Sequence, residues 1–207
     1  WQDAGADGWS YADVLPYFRR METSHGGEAP WRGTDGPLHI TRGPRDNPLH
    51  DAFVSATTQA GYTTTSDYNG ARQEGFGAAD MTVYKGRRWS SANAYLKPAM
   101  KRGNVTLMTG ALVERLLFDG TRCIGVRFWH KGQLRNIFAG KDIVLSAGAI
   151  GSPAILQRSG IGPAKLLRSH GFDCIADRAG VGANLQLHLE VSFHIAFNNP
   201  ITPYNHL

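Results

Sequence analysis

The sequence predicts a mixed α/β fold, and three observations carry the prediction. The strand-like run Asp142-Ile-Val-Leu-Ser146 passes through a small-residue turn, Ala147-Gly148-Ala149, into a segment with the chemistry of a helix start. Residues 105–138 read as β-like runs separated by Asp119-Gly120 and Lys131-Gly132, the pattern of an antiparallel meander. Two capped segments, opening at Ser10 and Asn47, supply helices ahead of them.

The elements follow in order. A first helix is predicted from Tyr11 to about Glu22, with Ser10 as its cap and Pro16 as a kink. Residues 24–37 are rich in Gly, Pro and polar residues and read as a loop, and Leu38-His-Ile-Thr41 follows as a short strand. Asn47-Pro48 opens a second helix that Gly61 stops. Thr63 to about Gln73 is polar and turn-rich. Ser90 or Ser91 caps a third helix reaching about Lys97. Strands are then predicted at 105–108, 112–118, 123–129, 134–138 and 142–146. The next helix takes Ser152 as cap and Pro153 as its first residue, where the missing N–H costs nothing, and ends at Ser159-Gly160. Pro163 opens a further helix that stops at Gly171, and Val191–Phe197 reads as a last strand.

A chain of 207 residues with 42% hydrophobic residues can bury a core. No apolar run approaches the ~20 residues that cross a bilayer. The two cysteines, Cys123 and Cys174, lie too far apart for a zinc or redox motif and fit a reducing compartment, so a cytoplasmic location is expected. The net charge of +5 is spread along the chain, without the basic and aromatic interleaving of a nucleic-acid site. It reads as a solvated surface, and a loose peripheral association with an anionic membrane stays open. No metal site is expected. The chain begins at Trp1 without a signal-peptide pattern.

A strand, a small-residue turn and a helix N-terminus together bring backbone N–H groups close to a phosphate or nucleotide. On the residues alone, the run Ser146–Gly162 fits an ordinary strand–helix joint equally well. Its full text, Ser146-Ala-Gly-Ala-Ile-Gly-Ser-Pro-Ala-Ile-Leu-Gln-Arg-Ser-Gly-Ile-Gly162, resembles the second signature of the glucose–methanol–choline (GMC) flavoprotein oxidoreductases. Other segments agree in the family's order: Gly8-Trp-Ser-Tyr-Ala-Asp-Val-Leu-Pro-Tyr-Phe18, Gln73-Glu-Gly-Phe-Gly77, Gly86-Arg-Arg-Trp-Ser-Ser-Ala-Asn-Ala-Tyr-Leu96 and Gly180-Val-Gly-Ala-Asn-Leu-Gln186. The chain is most similar to the family's choline-oxidising members.

The resemblance implies part of a GMC-type FAD-binding domain, interleaved with part of a substrate-binding domain. Residues 1–30 would be a linking helix segment, 31–85 a substrate-domain portion, 86–187 the FAD-domain portion and 188–207 the start of a second substrate-domain portion. It implies hydride transfer from an alcohol to the flavin, with choline favoured and betaine aldehyde as product. Another primary alcohol or polyol stays open as substrate, as do a lyase of the same fold and a non-catalytic binding module. The family's Gly-x-Gly-x-x-Gly loop does not occur here, and its catalytic His is expected C-terminal to residue 207. An internal portion of a larger enzyme is therefore expected, inactive alone and without a catalytic residue of its own.

Four residues carry the expected contacts. The family presents a Val backbone to the adenine at the place of Val113, which on its own reads as a buried strand residue. Ala147 and Gly148 would let the cofactor approach the backbone closely; tight packing is their alternative. In Gln186-Leu-His-Leu-Glu190 the family usually has Asp where Leu187 stands, which leaves His188 without a neighbouring carboxylate. By the resemblance Glu190 lies beside the substrate's quaternary ammonium, a cation that offers no N–H and is recognised only by charge or aromatic faces. Without the resemblance Glu190 reads as a water-facing carboxylate. The remaining histidines are expected in surface or structural roles, and the acids Asp67, Glu74 and Asp80 in solubility and turn chemistry.

Overall fold

A computed structural model describes residues 1–44, 46–194, 196, 198 and 201. Close contacts divide the chain into two units, one taking Trp1–Thr106 together with the segment from His194 onward and the other Leu107–Phe193.

The first unit opens with helix α1 (Tyr11–Met21). Ser10 Oγ accepts the Asp13 N–H, and the Asp13 carboxylate accepts the Ser10 N–H, so two N–H groups that a helix start leaves orphaned are satisfied reciprocally. Arg19 and Arg20 lie in its last turn, where they oppose the negative end of the helix dipole. Strand β1 (Glu22–His25) follows directly and pairs in parallel with β2 (Leu38–Arg42), with Thr23 opposite His39. The expected loop at 24–37 therefore begins two residues later than its composition suggests, because Ser24 and His25 find ladder partners in Ile40 and Thr41. Helix α2 (Pro48–Gln59) starts at Asn47, whose side chain accepts the Leu49 N–H.

The short strand β3 (Asp80–Met81) adds antiparallel to β2, and β4 (Val83–Tyr84) and β5 (Arg87–Arg88) form a two-residue hairpin around Lys85-Gly86. The third helix begins as a π-helical turn at Ala92–Leu96 and continues as α3 (Lys97–Lys101). Ser91 precedes it without making the expected side-chain cap.

The second unit is built on a three-stranded meander of β6 (Ala111–Asp119), β7 (Arg122–His130) and β8 (Gln133–Phe138). Both turns fall where the Asp-Gly and Lys-Gly pairs predicted them: Asp119 pairs with Arg122, and His130 with Gln133. Two bulges bend the first hairpin. Glu114 is the extra residue on β6, between Val113 opposite Phe128 and Arg115 opposite Arg127; Ile124 is the extra residue on β7. Helix α4 (Gly148–Arg158), the parallel pair β9 (Ile161–Gly162) and β10 (Ala176–Asp177), and helix α5 (Ala164–Ser169) complete the unit. Its apolar core is Leu116, Phe128, Ile155 and Leu167.

Two expected strands, 105–108 and 142–146, join no ladder among the described residues. A strand needs a neighbour, and Val144 is 84% exposed. No ladder forms at 191–194 either, and Ile195 and Phe197 lie outside the described residues. No helix among the described residues is long and apolar enough to cross a membrane.

Candidate functional site

Helix α4 begins one turn earlier than expected. Ala147 is its cap residue and Gly148 its first residue, so Pro153 sits inside the helix instead of opening it. Ser152 still serves the helix start from within: its Oγ accepts the Ala147 N–H at 3.0 Å. Pro153 has no N–H to return to the carbonyl of Ala149, which loosens the first turn. Gly148 has φ +83°, a left-handed backbone that an L side chain resists, and nothing lies within 4 Å of where a Cβ would stand. Ala147, Gly148, Ala149 and Ile150 are all exposed. Two expected site residues, Ala147 and Gly148, thus share an open helix N-terminus with backbone close to the surface.

The C-terminal half of the same run behaves differently. Ser159 is 6% exposed, accepts the Leu116 N–H at 2.8 Å and donates to the Ile155 carbonyl at 2.6 Å. Arg158 reaches along the edge of β6, donating from Nε to the Glu114 carbonyl at 3.0 Å and from Nη2 to the Val113 carbonyl at 3.4 Å. A Cβ on Gly160 would stand 2.6 Å from the Asp173 carbonyl, so only glycine fits. The Gly160 carbonyl accepts the N–H groups of Ile175 and Ala176. Gln157 donates to the Val181 carbonyl at 2.9 Å and ties the helix to the Gly180-Val-Gly-Ala loop. Between that loop and α4 lies a groove of about 520 Å³, walled by Ile150, Pro153, Leu156, Val181 and Leu185.

Val113, the third expected site residue, is half-buried on the edge strand β6, and its carbonyl is held by Arg158. Beside it, Glu114 Oε2 is buried without a hydrogen-bond partner among the described residues, as is His130 Nδ1. Glu190, the fourth, is exposed and belongs to no helix or strand, and neither does His188. The structure thus joins Ala147 and Gly148 at one end of α4 and ties Val113 to the other end, while no hydrogen bond or ion pair among the described residues links Glu190 to them. No group of three or more metal-ligating side chains occurs among the described residues.

Sequence reasoning missed an ion cluster in the first unit. Arg32 donates to Glu22 at 2.7 Å, Asp67 at 2.7 Å and Asp80 at 2.9 Å, and Arg42 reaches Asp80 at 3.3 Å. The Asp67 side chain is fully buried and also accepts the N–H groups of Glu28 and Asn69. Burial alone would raise the Asp80 pKa, but hydrogen bonds from Arg32 and Asn69 and the charge of Arg32 outweigh it and hold it below the carboxylate norm. Burial likewise works against the Arg32 charge, and Glu22 and Asp80 more than restore it. Asp67 and Asp80 are therefore structural anchors, a correction to the turn and solubility roles expected of them. His39 takes the structural one of the two roles expected of it. It stacks on Tyr84 with ring centres 3.7 Å apart and meets His25 at 3.1 Å. Burial, then the neighbouring His25 and Lys85, hold its pKa below the usual histidine value.

Oxygen-dependent choline dehydrogenases match all 207 residues, that of Brucella anthropi with 53% identity and that of Rhizobium etli with 52%. The chain spans 38% of the length of these relatives. Among solved structures, an FAD-dependent oxidoreductase from Chaetomium thermophilum superposes with a TM-score of 0.80 at 28% identity, over 87% of this chain and 34% of that one. The pyridoxine 4-oxidase from Mesorbium loti gives 0.75 at 33% identity, over 84% of this chain and 34% of its own. The GMC oxidoreductase family model matches residues 1–190, and the chain belongs to the GMC oxidoreductase family.

Proposed function

We propose that this chain forms the central portion of an FAD-dependent dehydrogenase that oxidises choline to betaine aldehyde. The observation that carries the reading is the 53% identity to oxygen-dependent choline dehydrogenase across every one of the 207 residues. The chain's own residues fit the cofactor. An open helix N-terminus at Ala147 and Gly148 suits an anionic group. The buried, unpartnered Glu114 Oε2 beside Val113 is an acceptor suited to an adenine amine. When bound, FAD supplies the acceptor for the hydride leaving the alcohol carbon.

The chain's part is to bind and orient. Val113 offers backbone groups on an edge strand, and α4, clamped at its C-terminal end, holds Ala147 and Gly148 in place. Glu190 supplies the carboxylate for the substrate's trimethylammonium group. The pattern around it supports this: Leu185, Leu187, Leu189, Val191 and Phe193 alternate with Gln186, His188, Glu190 and Ser192. The segment joins no ladder among the described residues, but were it to pair as a strand, that period would put His188 and Glu190 on one polar face and the apolar residues on the other. Leu187, which departs from the family's Asp, keeps the apolar alternation intact. The same reading assigns 31–85 and 188–207 to the substrate domain, 86–187 to the flavin domain and 1–30 to a link between them.

The test is anaerobic reduction of the flavin in the full-length protein carrying this chain. Choline is expected to bleach the flavin at a saturable rate, and 3,3-dimethylbutan-1-ol, its neutral isostere, at much higher concentration. Equal saturation by both would remove the cation from the recognition. The fold similarity to pyridoxine 4-oxidase favours a second reading, oxidation of a different alcohol, and bleaching by pyridoxine but not choline would select it.

A further inference from the structure

A cavity in the first unit is lined by the β4–β5 hairpin and α3. It has a volume of about 730 Å³ and lies open to solvent between the start of β2, the β4–β5 hairpin, the π-helical turn and α3. Its walls include Arg87, Arg88, Lys97 and Lys101, together with His39 and Trp89, and no carboxylate. The ion pairs among the described residues all involve Arg32 or Arg42, so none of these four cations has an acidic partner. Lys97 makes one neutral contact, donating to Asn93 Oδ1 at 2.6 Å.

This arrangement is unfavourable by itself. Lys97 and Lys101 stand four residues apart on one helix, so they are neighbours of like charge on one face. Arg87 and Arg88 bring two more positive charges to the same cavity. All four are exposed, and they line one concave, solvent-open space whose volume falls within the range of small-molecule sites. A ligand that relieves the repulsion must be an anion, and four cations favour one with several charges. Guanidinium forks and ammonium donors together match phosphate oxygens, which accept bidentate and single hydrogen bonds alike. Trp89 adds an apolar wall, fixed by its indole N–H donating to the Pro37 carbonyl at 2.7 Å.

We propose that this cavity is a binding site for a small phosphorylated anion, held by Arg87, Arg88, Lys97 and Lys101. Nothing in the choline reading requires it, and it stands or falls separately.

The test is calorimetric titration of the flavin-loaded full-length protein with inorganic pyrophosphate. The expected result is saturable binding, tighter for pyrophosphate than for phosphate and not displaced by chloride at matched ionic strength. The double variant Lys97→Gln/Lys101→Gln should weaken pyrophosphate binding at least about tenfold, with flavin content and choline turnover unchanged. Arg87→Gln, on a different element, gives the same readout should the double variant fold poorly. Absence of saturable binding, or equal binding by all the variants, would overturn the site. Loss of flavin in folded variants would overturn it too, by giving the cavity to the cofactor's own pyrophosphate.

Discussion

Ser159→Ala removes one oxygen atom and tests the division of labour within α4. That oxygen accepts the Leu116 N–H at 2.8 Å and donates to the Ile155 carbonyl at 2.6 Å. The Ile155 carbonyl keeps a second donor, the Ser159 backbone N–H at 3.1 Å. The Leu116 N–H keeps nothing. It points off the edge of β6 into packing where Leu116 is 8% and Ser159 6% exposed, so water cannot readily replace the hydroxyl. A buried donor left unpaired costs about 1–3 kcal/mol, which corresponds to roughly 5–150-fold in a local opening equilibrium. Hydrogen exchange of the Leu116 amide in the full-length protein reads that constant directly. Exchange should accelerate within this range in Ser159→Ala and return towards the parent value in Ser159→Thr, which restores the hydroxyl. The KM for the alcohol should stay where it is. Unchanged Leu116 protection in Ser159→Ala, with loss of flavin, would refute the reasoning and make Ser159 a cofactor contact.

Gly148→Ala meets no neighbour but must hold φ +83°, so it should cost about 1–2 kcal/mol, read as a shift in the urea midpoint, and lower flavin retention. A lowered Asp80 pKa stabilises the fold above the ordinary carboxylate value of 3.8, and that contribution disappears as the pH falls through the lowered value. Urea midpoints measured down to about pH 2 should therefore fall more steeply in the parent than in Asp80→Asn, which has no proton to take up there. Glu190→Gln in the full-length protein should raise the KM for choline at least about tenfold and leave that for 3,3-dimethylbutan-1-ol nearly unchanged, at equal flavin content.

Local rules explain where the sequence was legible. Ser10 and Asp13 satisfy each other within one turn, and Asn47 caps α2 two residues away, so both helix starts were readable. The meander was readable because each hairpin is closed by residues adjacent in sequence, Asp119 with Arg122 and His130 with Gln133. Interactions between distant residues were not readable. Arg32 and Asp67 are 35 positions apart, and no local pattern announces that one will bury the other. Parallel β1 is likewise invisible in a polar Glu-Thr-Ser-His run until β2 lies alongside. The runs at 105–108 and 142–146 show the converse failure. Their strand pattern is real, but a pattern states only a preference, and a ladder also needs a neighbour.

The signature run shows why a motif match does not by itself locate a site. Its residues divide by exposure into two groups with different work. Ser159, Gly160 and Gly162 are buried and spend their polar groups on β6, on the β9–β10 pair and on residues 175–178. Ala147, Gly148 and Ala149 are exposed and spend almost none. The second group depends on the first. A helix N-terminus can present its N–H groups to an anion at low entropic cost only if the helix itself is fixed. Here Ser159 and Arg158 bind the far end of α4 to the edge of β6, and Gln157 binds its flank to Val181. Of the expected contacts, Val113 therefore belongs as much to the clamp as to the cofactor, because its carbonyl is already shared with Arg158. Arg158→Met separates the two roles. It frees that carbonyl for the adenine while loosening the clamp. If presentation by a fixed helix is what holds the cofactor, flavin affinity should fall in Arg158→Met; if the Val113 carbonyl is limiting, affinity should rise.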